Sequence, residues 1–199
     1  MHGTHEREAS GKSPAAGLEV QTRKWLLAWA RMVMRQTVED GDTPEPTPPI
    51  PADALEPRGC FVSLHTRSGG LRGCIGTFEA RRSLWETVGE MAVAAATRDP
   101  RFQPVVPEEL PGCVVEISAL TPCKPAKPED IVVGRDGVCV ARGFSRGVLL
   151  PQVATEYGWD RETFLDHTCI KAGLPPEAWR DGSVTIETFS AEVFSEEEA

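Results

Sequence analysis

Asparagine is absent from this 199-residue chain, tyrosine occurs once, and lysine is outnumbered by arginine, 5 against 16. Without asparagine there is no acceptor for N-linked glycans. No run of about 18 apolar residues occurs, which excludes a membrane-spanning helix. The opening segment MHGTHEREASGKSPAAG has no apolar stretch, so no secretory leader is expected and the protein is read as cytoplasmic. Positive charge is also scarce: 21 Lys and Arg stand against 30 Asp and Glu, a net charge of −9. That deficit argues against membrane anchoring and against general binding to nucleic-acid backbones. Nucleic acid would need one local patch built from Arg67, Arg72, Arg81, Arg82, Arg98 and Arg101.

The six cysteines, at 60, 74, 113, 123, 139 and 169, are never closer than ten residues, so no CxxC pair exists for zinc or dithiol chemistry. They are expected as free thiols of a reducing compartment. Neither a metal nor a cofactor is expected. His167 and Cys169, at i and i+2 of a helix, point about 200° apart and cannot share an ion. No GxGxxG occurs, and Ser10-Gly11-Lys12-Ser13 lacks the leading glycine of a P-loop because position 6 is Glu. Gly143-Phe144-Ser145-Arg146-Gly147 matches GxSxG, but strand-like GVLL follows it where a nucleophile elbow needs a helix. It is read as a turn.

What is present reads as alternating hairpins and helices. Residues 1–17 form a patternless arm. From Leu18 to Val38, apolar residues at 26, 27, 30, 33 and 34 make one helical stripe, closed by Gly41. A connector at 41–58 carries six prolines and is expected to be extended. CFVSLH and LRGCIGTF around Ser-Gly-Gly predict a β-hairpin. Ser83 and Glu86 open a helix as a capping box, and that helix stops at Arg98-Asp99-Pro100. CVVEISALT alternates as a strand. IVVGRDGVCVAR with GVLL predicts a second hairpin, Pro151 and Asp160 open two further helices, and VTIETFSAEVF closes the fold as a strand before an acidic tail at 196–199. The succession GCFVSL, turn, LRGCIG, helix is echoed by GVCVAR, turn, GVLLP, helix. The fold expected is α+β, a mostly antiparallel sheet with flanking helices, from a duplicated hairpin–helix unit within a single domain at 18–195.

The densest chemistry lies in Leu71-Arg72-Gly73-Cys74-Ile75-Gly76. Arg72 and Cys74 share a strand face, and an even hairpin loop pairs Ser63 and His65 onto it, sending Leu64, Leu71 and Ile75 to the core. A guanidinium beside a thiol favours thiolate, the nucleophilic form, and His65 is placed to act as base. The plain alternative is that Cys74 is a small buried hydrophobe, the usual state of a free cysteine. Asp99 and Arg101 either clamp a polar substrate or bridge the helix end to the next loop. Glu116 alternates with Val115 and Ile117 and, if covered, needs a partner such as Arg72 or Arg101. Gln152, after Pro151, is placed to donate into a cleft or to cap the helix.

LRGCIG, DPRF and LLPQVA, in that order and within a match over about residues 18 to 195, resemble the AMMECR-one family in its prokaryotic form. The resemblance implies two unequal lobes with a cleft and a barrel-like duplicated sheet. It places the family signatures on Leu71 to Gly76, on Asp99 to Phe102, and on Pro151 and Gln152. Relatives are linked to a Memo-type protein and a radical SAM protein in the AmmeMemoRadiSam system, but this chain has no CxxxCxxC cluster motif of its own. Two functions are therefore expected. The first is a cleft for a small polar ligand or substrate, with Cys74, His65 and Glu116 as catalytic residues and Arg72, Gly73, Gly76, Asp99, Arg101 and Gln152 as ligand-binding residues. The alternative is a non-catalytic scaffold or partner of a Memo-type and a radical SAM protein.

Overall fold

The computed structural model describes residues 17–46 and 48–197, so the expected arm lies outside the described residues except for Gly17. Helix α1 (Val20–Asp40) forms on the apolar stripe read from the sequence, burying Leu26, Leu27, Ala30, Val33 and Met34, and Gly41 ends it in the left-handed conformation. Among its described residues the proline-rich connector forms no α-helix or strand, and its one helical piece is a 3-10 turn at Ala52–Leu55. From that turn Asp53 accepts the backbone N–H of Glu19 and the hydroxyl of Thr22, capping α1 from a distance in sequence.

Strands β1 (Cys60–Thr66) and β2 (Leu71–Thr77) form the first hairpin. Helix α2 (Leu84–Thr97) comes next, opened by the Ser83–Glu86 capping box. Strand β3 (Cys113–Leu120) then pairs with β1, and β8 (Ala191–Ser195) pairs with β3, giving the antiparallel order β2-β1-β3-β8. Both long helices cover one face of this sheet, where Val62, Leu64, Val115 and Ile117 are fully buried against them.

The second half repeats the plan. Strands β5 (Gly137–Arg142) and β6 (Ser145–Leu149) make a hairpin, followed by helices α3 (Pro151–Glu156) and α4 (Arg161–Lys171) and by β7 (Thr185–Phe189). With the two-residue β4 (Lys124–Pro125), these strands form a sheet of order β4-β7-β5-β6. Its own core gathers Val138, Val140, Phe164, Leu165 and Cys169. Each sheet thus consists of a hairpin, a third strand, and a short edge strand from the other half. The chain crosses from β3 to β4 at Thr121 and from β7 to β8 at Ser190. The two crossings bind each other: Thr121 N–H donates to the Ser190 carbonyl at 2.8 Å, and Ser190 N–H donates to Thr121 Oγ1 at 2.9 Å.

Two expectations change. VTIETFSAEVF is not one strand but two, because its apolar residues serve different cores: Ile186 belongs to the second cluster and Phe194 to the first. The sheet is not barrel-like either, since two separate four-stranded sheets form. Ser145 lies on β6 just after a Gly143-Phe144 turn, as expected for a chance GxSxG match. All six cysteines are free, and no helix among the described residues is long and apolar enough to cross a membrane.

One contact recurs in both halves. A Cβ at Gly73 would lie 2.3 Å from the Ala95 carbonyl oxygen of α2, and one at Gly147 would lie 2.4 Å from Thr168 O and Ala172 N of α4. Each glycine lets a hairpin strand approach a helix backbone with no flexible side chain to yield. Gly147→Ala is therefore expected to lower the unfolding free energy by about 1–3 kcal/mol in urea titration. Gly112→Ala, where a Cβ meets nothing within 4 Å, is expected to be neutral or slightly stabilising.

Candidate functional site

The outer face of the first sheet, opposite α1 and α2, carries the residues singled out by sequence. Register partners run straight across four strands as Cys74, Ser63, Glu116 and Ser195. Ser63 Oγ donates to Cys74 Sγ at 3.2 Å. His65 lies two residues along β1 on the same face, its Nε2 3.7 Å from Glu116 Oε1, within ion-pair reach but beyond a hydrogen bond. That Nε2 is shielded from water and has no hydrogen-bond partner among the described residues. Cys74, Ser63, His65 and Glu116 are all half-buried, so this polar row is open on one side. The three predicted catalytic residues thus share one face, and the partner of Glu116 is His65, not Arg72 or Arg101.

The hairpin departs from expectation at one point. Leu64 pairs with Gly73 but His65 pairs with Leu71, leaving Arg72 as the extra residue of a β-bulge. The shift turns Leu71 outward, where it is 40% exposed, although the alternating pattern placed it in the core. It also re-aims Arg72 over the strand edge. There Arg72 Nε and Nη2 meet Glu109 at 2.9 and 2.8 Å, and Nη1 donates to the Gln103 carbonyl at 3.0 Å. Arg72 is committed to this carboxylate, which corrects its assignment as the neighbour that activates Cys74 or holds an anion. Nothing in the spacing from Arg72 to Glu109 marked the pair.

Strand β2 is the edge of its sheet, yet its backbone at Cys74 is not left open. Asp99 Oδ2 accepts the Cys74 N–H at 2.8 Å, and Arg101 Nη2 donates to the Cys74 carbonyl at 3.2 Å. Asp99 also accepts from the Arg101 backbone, its Nε and its Nη2, so every lone pair of a 5% exposed carboxylate is used. The hydrogen-bonded Arg101 guanidinium holds the Asp99 carboxyl far below the usual range. Asp99 and Arg101 therefore grip the protein's own backbone rather than an open substrate position, and Phe102 lies under both Arg72 and Arg101.

The remaining predicted ligand-binding residues are placed differently from expectation. The space beside Gly73 is taken by α2, and a Cβ at Gly76 would lie 2.2 Å from the Phe61 ring, so neither glycine opens to a ligand. Gln152 is exposed on the first turn of α3, in the other half, with no side-chain hydrogen bond among the described residues. Arg72, Arg81, Arg82 and Arg101 each pair with a carboxylate. Cys169 is buried and His167 stacks on Trp159 at 3.9 Å. Among the described residues no group of three His, Cys, Asp or Glu side chains is placed to hold a metal.

These features define a protein of two interlocked antiparallel lobes with a polar row beside a braced edge strand. A family model described as AMMECR1 matches residues 27–194. A protein of Thermococcus gammatolerans is 44% identical over 184 residues, covering 87% of this chain and 90% of that one. Protein MJ0810 of Methanocaldococcus jannaschii is 50% identical over 151 residues, covering 72% of this chain and 75% of its own. The crystal structure of uncharacterized protein PH0010 from Pyrococcus horikoshii superposes with a TM-score of 0.77 at 39% identity, covering 91% of this chain and 94% of that one. The chain belongs to the AMMECR1 family.

The Arg72–Glu109 brace carries a pH signature. The hydrogen-bonded Arg72 guanidinium lowers the Glu109 carboxyl from 4.5 to about 2. A carboxyl depressed in the folded state contributes stability above its unfolded value, and loses it as pH falls through the folded one. The fall in urea midpoint between about pH 6 and about pH 3 is thus expected to be smaller in Glu109→Gln than in the unsubstituted protein.

Proposed function

We propose that the protein is a thiol-dependent enzyme acting on a small polar substrate at the outer face of the first sheet, with Cys74 as nucleophile. The observation that carries this reading is the juxtaposition of Cys74 and Ser63 with a His65 nitrogen that faces Glu116 and has no hydrogen-bond partner among the described residues. A thiol with an imidazole and a carboxylate on one surface is the set needed for nucleophilic attack with proton transfer. The row spans three interstrand spacings, or about 14 Å, which suits a small molecule better than a polymer.

In this reading the Cys74 sulfur bonds to an electrophilic carbon of the substrate. The thiol proton passes to His65 and leaves with the departing group. Attack by water or a second substrate on the same carbon then releases the thiol. Ser63 positions the sulfur, and Glu116 holds the imidazole side of the row. The Asp99–Arg101 grip on the Cys74 backbone removes strand motion that would otherwise misplace the sulfur, a requirement when an ångström of error is costly. Arg72 is a positioning residue outside the reacting group.

Alkylation by iodoacetamide, followed cysteine by cysteine with mass spectrometry, tests this directly. Cys123 is exposed whereas Cys74 is half-buried, and Cys113 and Cys139 are buried, with burial pushing the Cys113 thiol up. Exposure alone ranks Cys123 first. The proposal instead expects Cys74 to react at least about tenfold faster than Cys123 near neutral pH, with the rate reduced in Ser63→Ala and His65→Ala. A Cys74 that reacts no faster than Cys113 and Cys139 would mark it as a packed structural thiol and end the proposal.

A further inference from the structure

Arg72 and Arg146 hold equivalent places in the two halves. Each precedes a glycine pressed against a helix backbone, and each sits on the second strand of its hairpin, at the edge of its sheet. In the first half the guanidinium fork is filled by the Glu109 carboxylate. In the second half Arg146 Nε is steadied by donation to Cys139 Sγ at 3.1 Å, and Glu187 attracts the group only from longer range. Cys123 also acts on this guanidinium, but among the described residues no oxygen accepts from Nη1 or Nη2 of Arg146, so the outer end of the fork holds no carboxylate here.

Arg146 borders a cavity of about 390 Å³ at the junction of the two sheets. The second sheet contributes Arg146, Val148 and Phe189, and the first half contributes Phe78 and Arg58. The Phe78 and Phe189 rings meet edge to face, with centroids 5.9 Å apart. Arg58 is only 6% exposed; its Nη2 donates to Glu56 and its Nη1 lies 3.8 Å from Glu192 Oε1, within ion-pair reach, but among the described residues neither the buried Nε nor the buried Nη1 makes a hydrogen bond. Buried guanidinium donors left without acceptors are costly, and a ligand oxygen relieves that cost. Two arginines from opposite halves, each with unfilled donors, therefore line one space with aromatic walls.

We propose that this cavity binds a small organic anion, a monocarboxylate with an apolar body. Its carboxylate bridges Nη1 and Nη2 at the outer end of the Arg146 fork, since Cys139 holds the Nε that Glu109 takes on Arg72, and this end-on contact is still a planar bidentate match suited to guanidinium. The apolar body rests against Phe78 and Phe189. Glu187, which lines the same cavity, repels a second negative charge and so favours monoanions over dianions. The site shares no residue with the Cys74 row, and its test is independent of the thiol reading.

The test is an amide NMR titration of the full chain with benzoate, hexanoate and inorganic phosphate. Saturable shifts with either carboxylate at Gly147, Val148 and Phe189 are expected, with phosphate at least about tenfold weaker. Arg146→Gln is expected to raise the dissociation constant at least about tenfold, and Arg146→Lys to raise it less, since a point charge survives the loss of the fork. Arg35→Gln, an exposed change on α1, controls for general charge and is expected to leave binding unaltered. The proposal is overturned if neither carboxylate shifts those amides, or if Arg146→Gln binds as tightly as the unsubstituted protein. Phosphate binding as tight as the carboxylates would overturn the role of the apolar walls.

Discussion

The Asp99 carboxylate is the constraint on which the candidate site rests. An edge strand normally presents unpaired N–H and C=O groups, and β2 is such an edge. At Cys74 both groups are taken, one by Asp99 and the other by Arg101, and the two side chains are paired with each other. Burying a carboxylate is unfavourable unless charge and hydrogen bonds replace its water. Asp99 accepts four donors and satisfies that condition. The segment after Arg101 is thereby held beside β2, so that the Gln103 carbonyl and Glu109 are in place to hold Arg72 once the bulge has turned it over the edge. Ligand-like residues thus serve as the frame, and the groups left for chemistry are those on the open face.

The duplication explains why one half has a filled arginine and the other does not. Each half uses its hairpin, helix and third strand for its own core and sends its last strand to the neighbour. The crossings at Thr121 and Ser190 bind each other, so neither half completes its sheet alone. Gly73 and Gly147 are equivalent consequences of hairpin strands lying against helix backbones. The two halves diverge beyond their hairpins. After α2 the chain returns through Asp99 and Glu109 along the edge of β2, whereas no such segment supplies a carboxylate to Arg146 on β6.

Much of this was legible in the sequence because it rests on short-range rules. The capping box at Ser83, the Asp160 cap, the proline at the start of α3 and the stripe on α1 are local patterns, and each formed as read. The shared face of Cys74, Ser63 and His65 was legible because strand alternation has period two, whereas Glu116 comes beside them only through the pairing of β1 with β3. What was not legible depended on the partner. The bulge that turns Leu71 outward leaves no mark in the apolar pattern, and the break at Ser190 lies inside an apparently continuous alternation. Glu109 as the partner of Arg72, and the Cys74 backbone as the object held by Asp99, are contacts between segments far apart in sequence. The glycines misled for a related reason: a missing side chain signals close approach without saying whether a ligand, a helix or an aromatic ring comes close.

If Asp99 converts an open strand edge into a rigid support for Cys74, amide hydrogen exchange measures that most directly. In the unsubstituted protein the Cys74 amide should exchange within about tenfold of the interior Val62 amide, and far more slowly than the amide of Val148 at the equivalent register of β6, which has no such carboxylate. In Asp99→Ala that protection should fall by at least about a hundredfold at Cys74 while Val62 stays slow. A Cys74 amide that exchanges as fast as that of Val148 in the unsubstituted protein would contradict the account, because the edge would then be open and the sulfur unsupported.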